Sequence, residues 1–244
     1  MHSLGYLSFL SFTLLLGIVV AVDPLYHSCS NSFTYTSGSQ YEKNLNILLN
    51  QLSVKVPPTG FGLSSVGAPR EIVRGLALCR GDVSTSDCSS CVNTASKEIL
   101  HRCPSDKGSV IFYDACLLRY SNVNFLGTID SETKFYLYNV QNVSGIADFN
   151  GKNKEFLSRL SEKAYRSPNL FATEEMSIGK LEKLYGLVQC TRDLSSAQCK
   201  KCLDDAISQL PNCCDERQGG RVIGGSCNFR YELYPFVVSK KLNV

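Results

Sequence analysis

Histidine is scarce in this chain: three residues in 244, and His2 falls in the amino-terminal leader, which leaves His27 and His101. Nucleophilic catalysis needs a serine or cysteine activated by a base that is itself oriented, and that supply is poor here. His101 lies at the end of a predicted helix, where a cation complements the helix dipole, and is read as structural. No glycine-rich phosphate loop follows a predicted strand; Gly219-Gly220 and Gly224-Gly225 are read as turns. The neighbouring carboxylates Glu174-Glu175 and Asp204-Asp205 are read as helical and pointing apart, a solvated face and not an acid and base acting together. No catalytic residue and no cofactor is expected. Charge of one sign is also lacking. A net +3 with no basic block gives nucleic acid no electrostatic footprint and a membrane surface none either.

The first 21 residues contain no Lys, Arg, Asp or Glu, and Leu4 to Val20 form an apolar run. Residues 1–21 read as a secretory signal peptide, cleaved after Val19-Val20-Ala21. The run is short for a bilayer core of about 30 Å and has no flanking basic residues. No second apolar stretch of about 18 residues follows, and a Lys-Asp-Glu-Leu type retention signal is missing. A secreted, extracellular product with no membrane span is expected.

Twelve cysteines, an even number, would then pass through an oxidising compartment in which thiols pair. The sequon Asn142-Val143-Ser144 makes Asn142 a candidate surface glycosylation site there. The cysteines repeat. Arg74-Gly75-Leu76-Ala77-Leu78-Cys79 is echoed by Tyr185-Gly186-Leu187-Val188-Gln189-Cys190, a displacement of 111 positions. The same displacement carries Cys88 onto Cys199, Cys91 onto Cys202, Cys103 onto Cys214, Cys116 onto Cys227 and Arg119-Tyr120 onto Arg230-Tyr231. A period this long marks a repeated domain. Two units are expected, at 25–125 and 131–236, held close by a short connection near Leu126-Gly127-Thr128-Ile129-Asp130.

Leu45, Leu48, Leu49 and Leu52 at helical spacing predict a helix over 40–53. Cys88, Cys91, Val92, Ala95 and Ile99 predict a second over 86–102, and its repeat copy carries Cys199, Cys202, Leu203, Ala206, Ile207 and Leu210. Apolar and aromatic runs over 109–120, 134–140 and 227–238 read as strands. The fold class is α+β: two tandem disulfide-rich domains, each an antiparallel sheet packed against two helices. Each unit contains Cys-x8-Cys-x2-Cys. Zinc thiolate sites use the Cys-x2-Cys spacing, but secretion and the shortage of histidine favour disulfides, so no metal is expected. Cysteines at helical positions i and i+3 share a face, from which they reach two different partners more easily than each other.

The motif Cys79-x8-Cys88-x2-Cys91, the run Tyr113-Asp114-Ala115-Cys116-Leu117-Leu118-Arg119-Tyr120-Ser121 and the run Cys213-Cys214-Asp215-Glu216-Arg217-Gln218-Gly219-Gly220-Arg221 carry a resemblance. Together they resemble the plant cysteine-rich repeat secretory proteins, whose unit is the ginkbilobin-2-homologous domain, also called domain of unknown function 26. The resemblance covers essentially the whole mature chain. It implies that Cys29 pairs with Cys103, Cys79 with Cys88 and Cys91 with Cys116, and by analogy Cys190 with Cys199 and Cys202 with Cys227. The displacement of 111 carries Cys29 onto Val140, so Cys214 lacks its partner. Cys213 and Cys214 could form a vicinal disulfide, stay reduced or bridge to another molecule.

The resemblance also implies an apoplastic location and a role in defence. Lectin-like members such as ginkbilobin hold mannose through an Asn just after the first Cys, an Arg six positions before the last Cys and a Glu five after it. Ser30, Val110 and Ser121 stand there in the first unit. In the second, the displacement selects Gln141, Arg221 and Glu232 as the expected carbohydrate-binding residues, with a cross-strand Arg221–Glu232 ion pair as the bland alternative. The expected partner is a mannose-type glycan or a cell-surface protein, the latter docking on the aromatic stretch Tyr231-Glu232-Leu233-Tyr234-Pro235-Phe236.

Overall fold

The computed structural model describes residues 23–237 apart from 31, 180 and 181, so the signal peptide read over 1–21 lies outside the described residues. Each long helix begins at an oxygen-bearing side chain that accepts from a first-turn amide. Ser39 caps α1 (Gln40–Lys55), Ser84 caps α2 (Thr85–Arg102), Asp148 caps α3 (Phe149–Arg166) and Ser195 caps α4 (Ser196–Ile207), the last in a reciprocal box with Gln198. The buried stripes are those of an amphipathic helix: Leu45, Leu48, Leu49 and Leu52 on α1, and Phe156, Leu157, Leu160 and Ala164 on α3. The second helix of the second unit is shorter than its copy. α4 stops at Ile207, and a separate turn, α5 (Leu210–Cys213), carries Leu210. Pro211 has no N–H to donate to the Ile207 carbonyl, which interrupts the helix there.

The strands form two antiparallel sheets of five. The first contains β1 (Tyr26–Cys29), β2 (Phe61–Val66), β3 (Val73–Cys79), β4 (Gly108–Phe112) and β5 (Cys116–Ser121) in the order β1-β4-β5-β3-β2. The second contains β6 (Lys134–Tyr138), β7 (Phe171–Ser177), β8 (Lys183–Cys190), β9 (Gly219–Gly224) and β10 (Cys227–Glu232) in the order β6-β9-β10-β8-β7. The run expected as one strand over 109–120 is a hairpin, β4 and β5, that turns at Tyr113-Asp114-Ala115. The run expected over 227–238 stops as a strand at Glu232. Gly219 and Gly220, expected in a turn, open β9, because the Glu232 carboxylate lies over one and Cys214 and Tyr231 over the other where a Cβ would stand. Glu174 and Glu175, expected on a helix, belong to β7.

Alternation sorts the first sheet into two buried faces. Ala77, Cys79, Ile111, Leu118 and Tyr120 pack on α1 and α2, whereas Leu76, Leu78, Val110, Phe112 and Leu117 join Ile223 in a core between the two units. Phe135 closes its margin, stacked on Tyr26 with centroids 4.5 Å apart and edge-on to Phe112 at 5.2 Å. The second sheet packs Val188, Val222, Phe229 and Tyr231 on α3 and α4. Tyr231 is therefore a core residue and not part of a docking strip; Tyr234, 49 % exposed, is the aromatic of that stretch that stands out.

All twelve cysteines are bridged: Cys29–Cys103, Cys79–Cys88, Cys91–Cys116, Cys190–Cys199, Cys202–Cys227 and the vicinal pair Cys213–Cys214. Cys88 and Cys91, on one face of α2, reach two different strands, β3 and β5.

Candidate functional site

Arg221 sits within β9, opposite Leu137 on one side and Arg230 on the other, and Glu232 ends β10 opposite Gly219. The first strand decides what joins them. Tyr26 pairs with Phe112 and Phe135 with Ile223, so β6 is displaced from β1 by 109 positions while β9 is displaced from β4 by 111. Tyr138 therefore takes the place of Cys29, and Asn139 the place of Ser30. The backbone repeats the match: the Ser30 amide donates to the Gly108 carbonyl, and the Asn139 amide donates to the Gly219 carbonyl, each at 2.8 Å. Gln141 is exposed, and its carbonyl accepts from the Gln218 amide beyond the end of β6.

Asn139, Arg221 and Glu232 line one cleft of roughly 290 Å³, together with Asp114, Arg230 and Tyr234; Gln141 is not on its wall. That volume is at the small end of ligand sites, about 300 to 1,000 Å³, and suits a ligand of one or two rings. In the first unit Val110, which stands where Arg221 does, is buried in the core between the units.

Arg221 and Glu232 do not pair across the strands. Two guanidiniums face each other in register, and each takes its own carboxylate: Glu232 accepts from Arg230 Nε at 2.9 Å, and Asp114 accepts from Arg221 at 2.7 Å. Asp114 comes from the β4–β5 turn of the first unit. It also accepts from Arg80 at 2.6 Å and faces Arg230 at 3.4 Å, while Arg80 is held by Asp82 at 2.6 Å. Sequence reasoning missed Asp114, since nothing along the chain signals a partner 107 residues from Arg221. Asn139 had a signal: aligning Phe135 with Tyr26 as the aromatic of the first strand gives it directly.

Burial opposes ionisation of Asp114, but Arg221, Arg80 and Arg230 outweigh it and hold the carboxyl below its usual range. Burial draws the Arg221 guanidinium below its usual value, with Asp114 opposing. The folded-state value of Asp114 lies below the unfolded one. Its contribution to stability is thus complete above about pH 5 and is lost as pH falls through the folded value. Denaturant unfolding between about pH 5 and pH 2 is expected to show stability declining in acid, and Asp114→Asn should reduce that slope.

The remaining candidates lie outside this cleft. His101 is in the last turn of α2. Glu174 pairs with Lys163 and Arg159, Glu175 with Lys183, Asp204 with Lys200 and Asp205 with Lys201. Cys29, Cys103 and Asp106 are close enough to share a metal ion, but the two sulfurs are bonded to each other. Asn142 is exposed, its side-chain oxygen accepting from Arg217 at 2.8 Å.

A family described as salt stress response/antifungal matches residues 28–123 and again 138–234. The chain belongs to this family. An antimicrobial ginkbilobin-2-like protein of Castanea crenata is 58 % identical over 230 residues, 94 % of this chain and 95 % of that one. Cysteine-rich repeat secretory protein 38 of Arabidopsis thaliana is 58 % identical over 216 residues, 87 % of this chain and 85 % of that one. Among solved structures, the tandem DUF26 ectodomain of the Arabidopsis thaliana cysteine-rich receptor-like protein PDLP8 superposes with a TM-score of 0.76 at 28 % identity, over 87 % of this chain and 98 % of that one. This salt stress response/antifungal family member is thus a secreted cysteine-rich repeat protein with two DUF26 units, among relatives named for secretion, antimicrobial action and receptor ectodomains. No described helix is long and apolar enough to cross a membrane.

Proposed function

We propose that this family member is an extracellular carbohydrate-binding protein without catalytic activity, and that its second unit holds a mannose-type sugar between Asn139, Arg221 and Glu232. The carrying observation is the convergence of an amide just past β6, a guanidinium on β9 and a carboxylate on β10 on one small cleft, at the register that the mannose-binding resemblance calls for. Sugar hydroxyls both donate and accept, and this set offers both in fixed geometry. The exposed ring of Tyr234 adds an apolar surface of the kind that the C–H face of a pyranose covers. A defence role is supported by the antimicrobial name of the chestnut relative. Asn142, exposed three residues beyond Asn139, is the proposed glycosylation site. Titration calorimetry of the oxidised, mature protein with mannose and mannan should give saturable heat. No heat with either, from a folded sample, would overturn the sugar reading.

A second reading, docking on a cell-surface protein, draws on one feature. β6 is an edge strand with Tyr136, Leu137 and Tyr138 all exposed, an arrangement open to strand addition. Crosslinking that depends on those three residues but is unaffected by mannan would favour it.

A further inference from the structure

We propose that Asp114, which the first unit lends to the cleft of the second, sets the charge of the sugar that the cleft accepts: neutral sugars enter and uronic acids are refused. This rests on the reading of the cleft as a sugar site. Three guanidiniums converge on Asp114, and their other partners differ. Arg80 also has Asp82 and Arg230 also has Glu232, but Arg221 has no second ion-pair partner among the described residues. The Arg221 side chain is 11 % exposed and its Nε has no hydrogen-bond partner. The Asp114 side chain is 51 % exposed and lies on the cleft wall. Its carboxylate therefore occupies the position against Arg221 where a ligand carboxylate would otherwise seat.

Charge counting gives the consequence. Arg80, Arg221 and Arg230 are balanced by Asp82, Asp114 and Glu232. A hydroxyl meets donors and acceptors in a neutral site, whereas an incoming carboxylate meets Asp114 and Glu232 with no cation left uncompensated. Like charges brought together in this way disfavour binding strongly. Without Asp114 the site gains one positive charge, and Arg221 offers a planar fork matched to a carboxylate.

The test compares D-mannose with D-mannuronate, which shares its stereochemistry and carries a carboxylate in place of the C6 hydroxymethyl group. Binding of each is measured by calorimetry and thermal shift to the wild type, Asp114→Ala and the isosteric Asp114→Asn. The wild type should prefer the neutral sugar by roughly tenfold or more, and both variants should shift toward D-mannuronate by at least about that factor. The Asp114→Ala, Arg221→Gln double variant should lose the acquired binding. A wild type that binds both sugars equally overturns the proposal without any variant, as does an unchanged ratio in a folded variant. A wild type that binds neither overturns the sugar reading itself, and D-mannuronate binding acquired by the variants would still locate the carboxylate seat at Arg221.

Discussion

Asn139→Ala, Arg221→Ala and Glu232→Ala are each expected to weaken mannan binding by roughly tenfold or more, and Gln141→Ala to leave it within about twofold. The contrast between Asn139 and Gln141 is the sharper half of the prediction. A displacement of 111 selects Gln141, and the strand pairing selects Asn139; the two side chains carry the same amide. Asn139, the residue after β6, lines the cleft with the other two, whereas Gln141 is not on its wall. Removing one member of a polar set that engages a ligand leaves the partner groups desolvated and unmatched, which is why each loss exceeds the worth of a single exposed hydrogen bond. Calorimetry on all four variants, with circular dichroism to verify folding, decides the matter. Loss of binding in Gln141→Ala with Asn139→Ala unaffected would overturn the register assignment.

Replacing Cys29 and Cys103 by Ala is expected to destabilise the first unit by about 4 kcal/mol, against about 3 kcal/mol for the pair Cys79 and Cys88. The bridge between Cys29 and Cys103 closes a loop with a sequence separation of 74, and that between Cys79 and Cys88 one of 9. In the chain-entropy account, the longer loop removes more freedom from the unfolded chain. The bridge also fastens the edge strand β1 to the end of α2, an attachment that the second unit lacks because Tyr138 stands at the corresponding position. Guanidinium unfolding of the two double variants checks the order; a smaller loss for the long loop than for the short one would show that native contacts, and not loop entropy, dominate.

Much of the molecule was legible in the chain. The cysteine register marked two units, because covalent bridges fix spacing more rigidly than packing does. Leucines at helical intervals marked α1, since amphipathic burial is a local matter, whereas the capping serines Ser84 and Ser195 were placed by the structure. The hairpin inside 109–120 was not legible, as both of its strands are apolar on each face, one toward the helices and one toward the second unit. Gly219 and Gly220 read as a turn because the side chains that crowd them, those of Glu232, Cys214 and Tyr231, lie elsewhere in the chain.

By itself, then, the sequence determined the repeat, an even set of cysteines that the family resemblance, and not spacing, paired, the two helices of the first unit and the presence of Arg221 and Glu232 at matching positions. Tertiary structure decided the two remaining features of the cleft. The second unit carries two more residues between its first strand and its Cys-x8-Cys block, with no cysteine among them to reveal the shift, so strand pairing chose Asn139 over Gln141. Asp114 reaches Arg221 only because the first sheet buries its outer face against the second, and a contact made by packing two domains leaves no periodic trace in either.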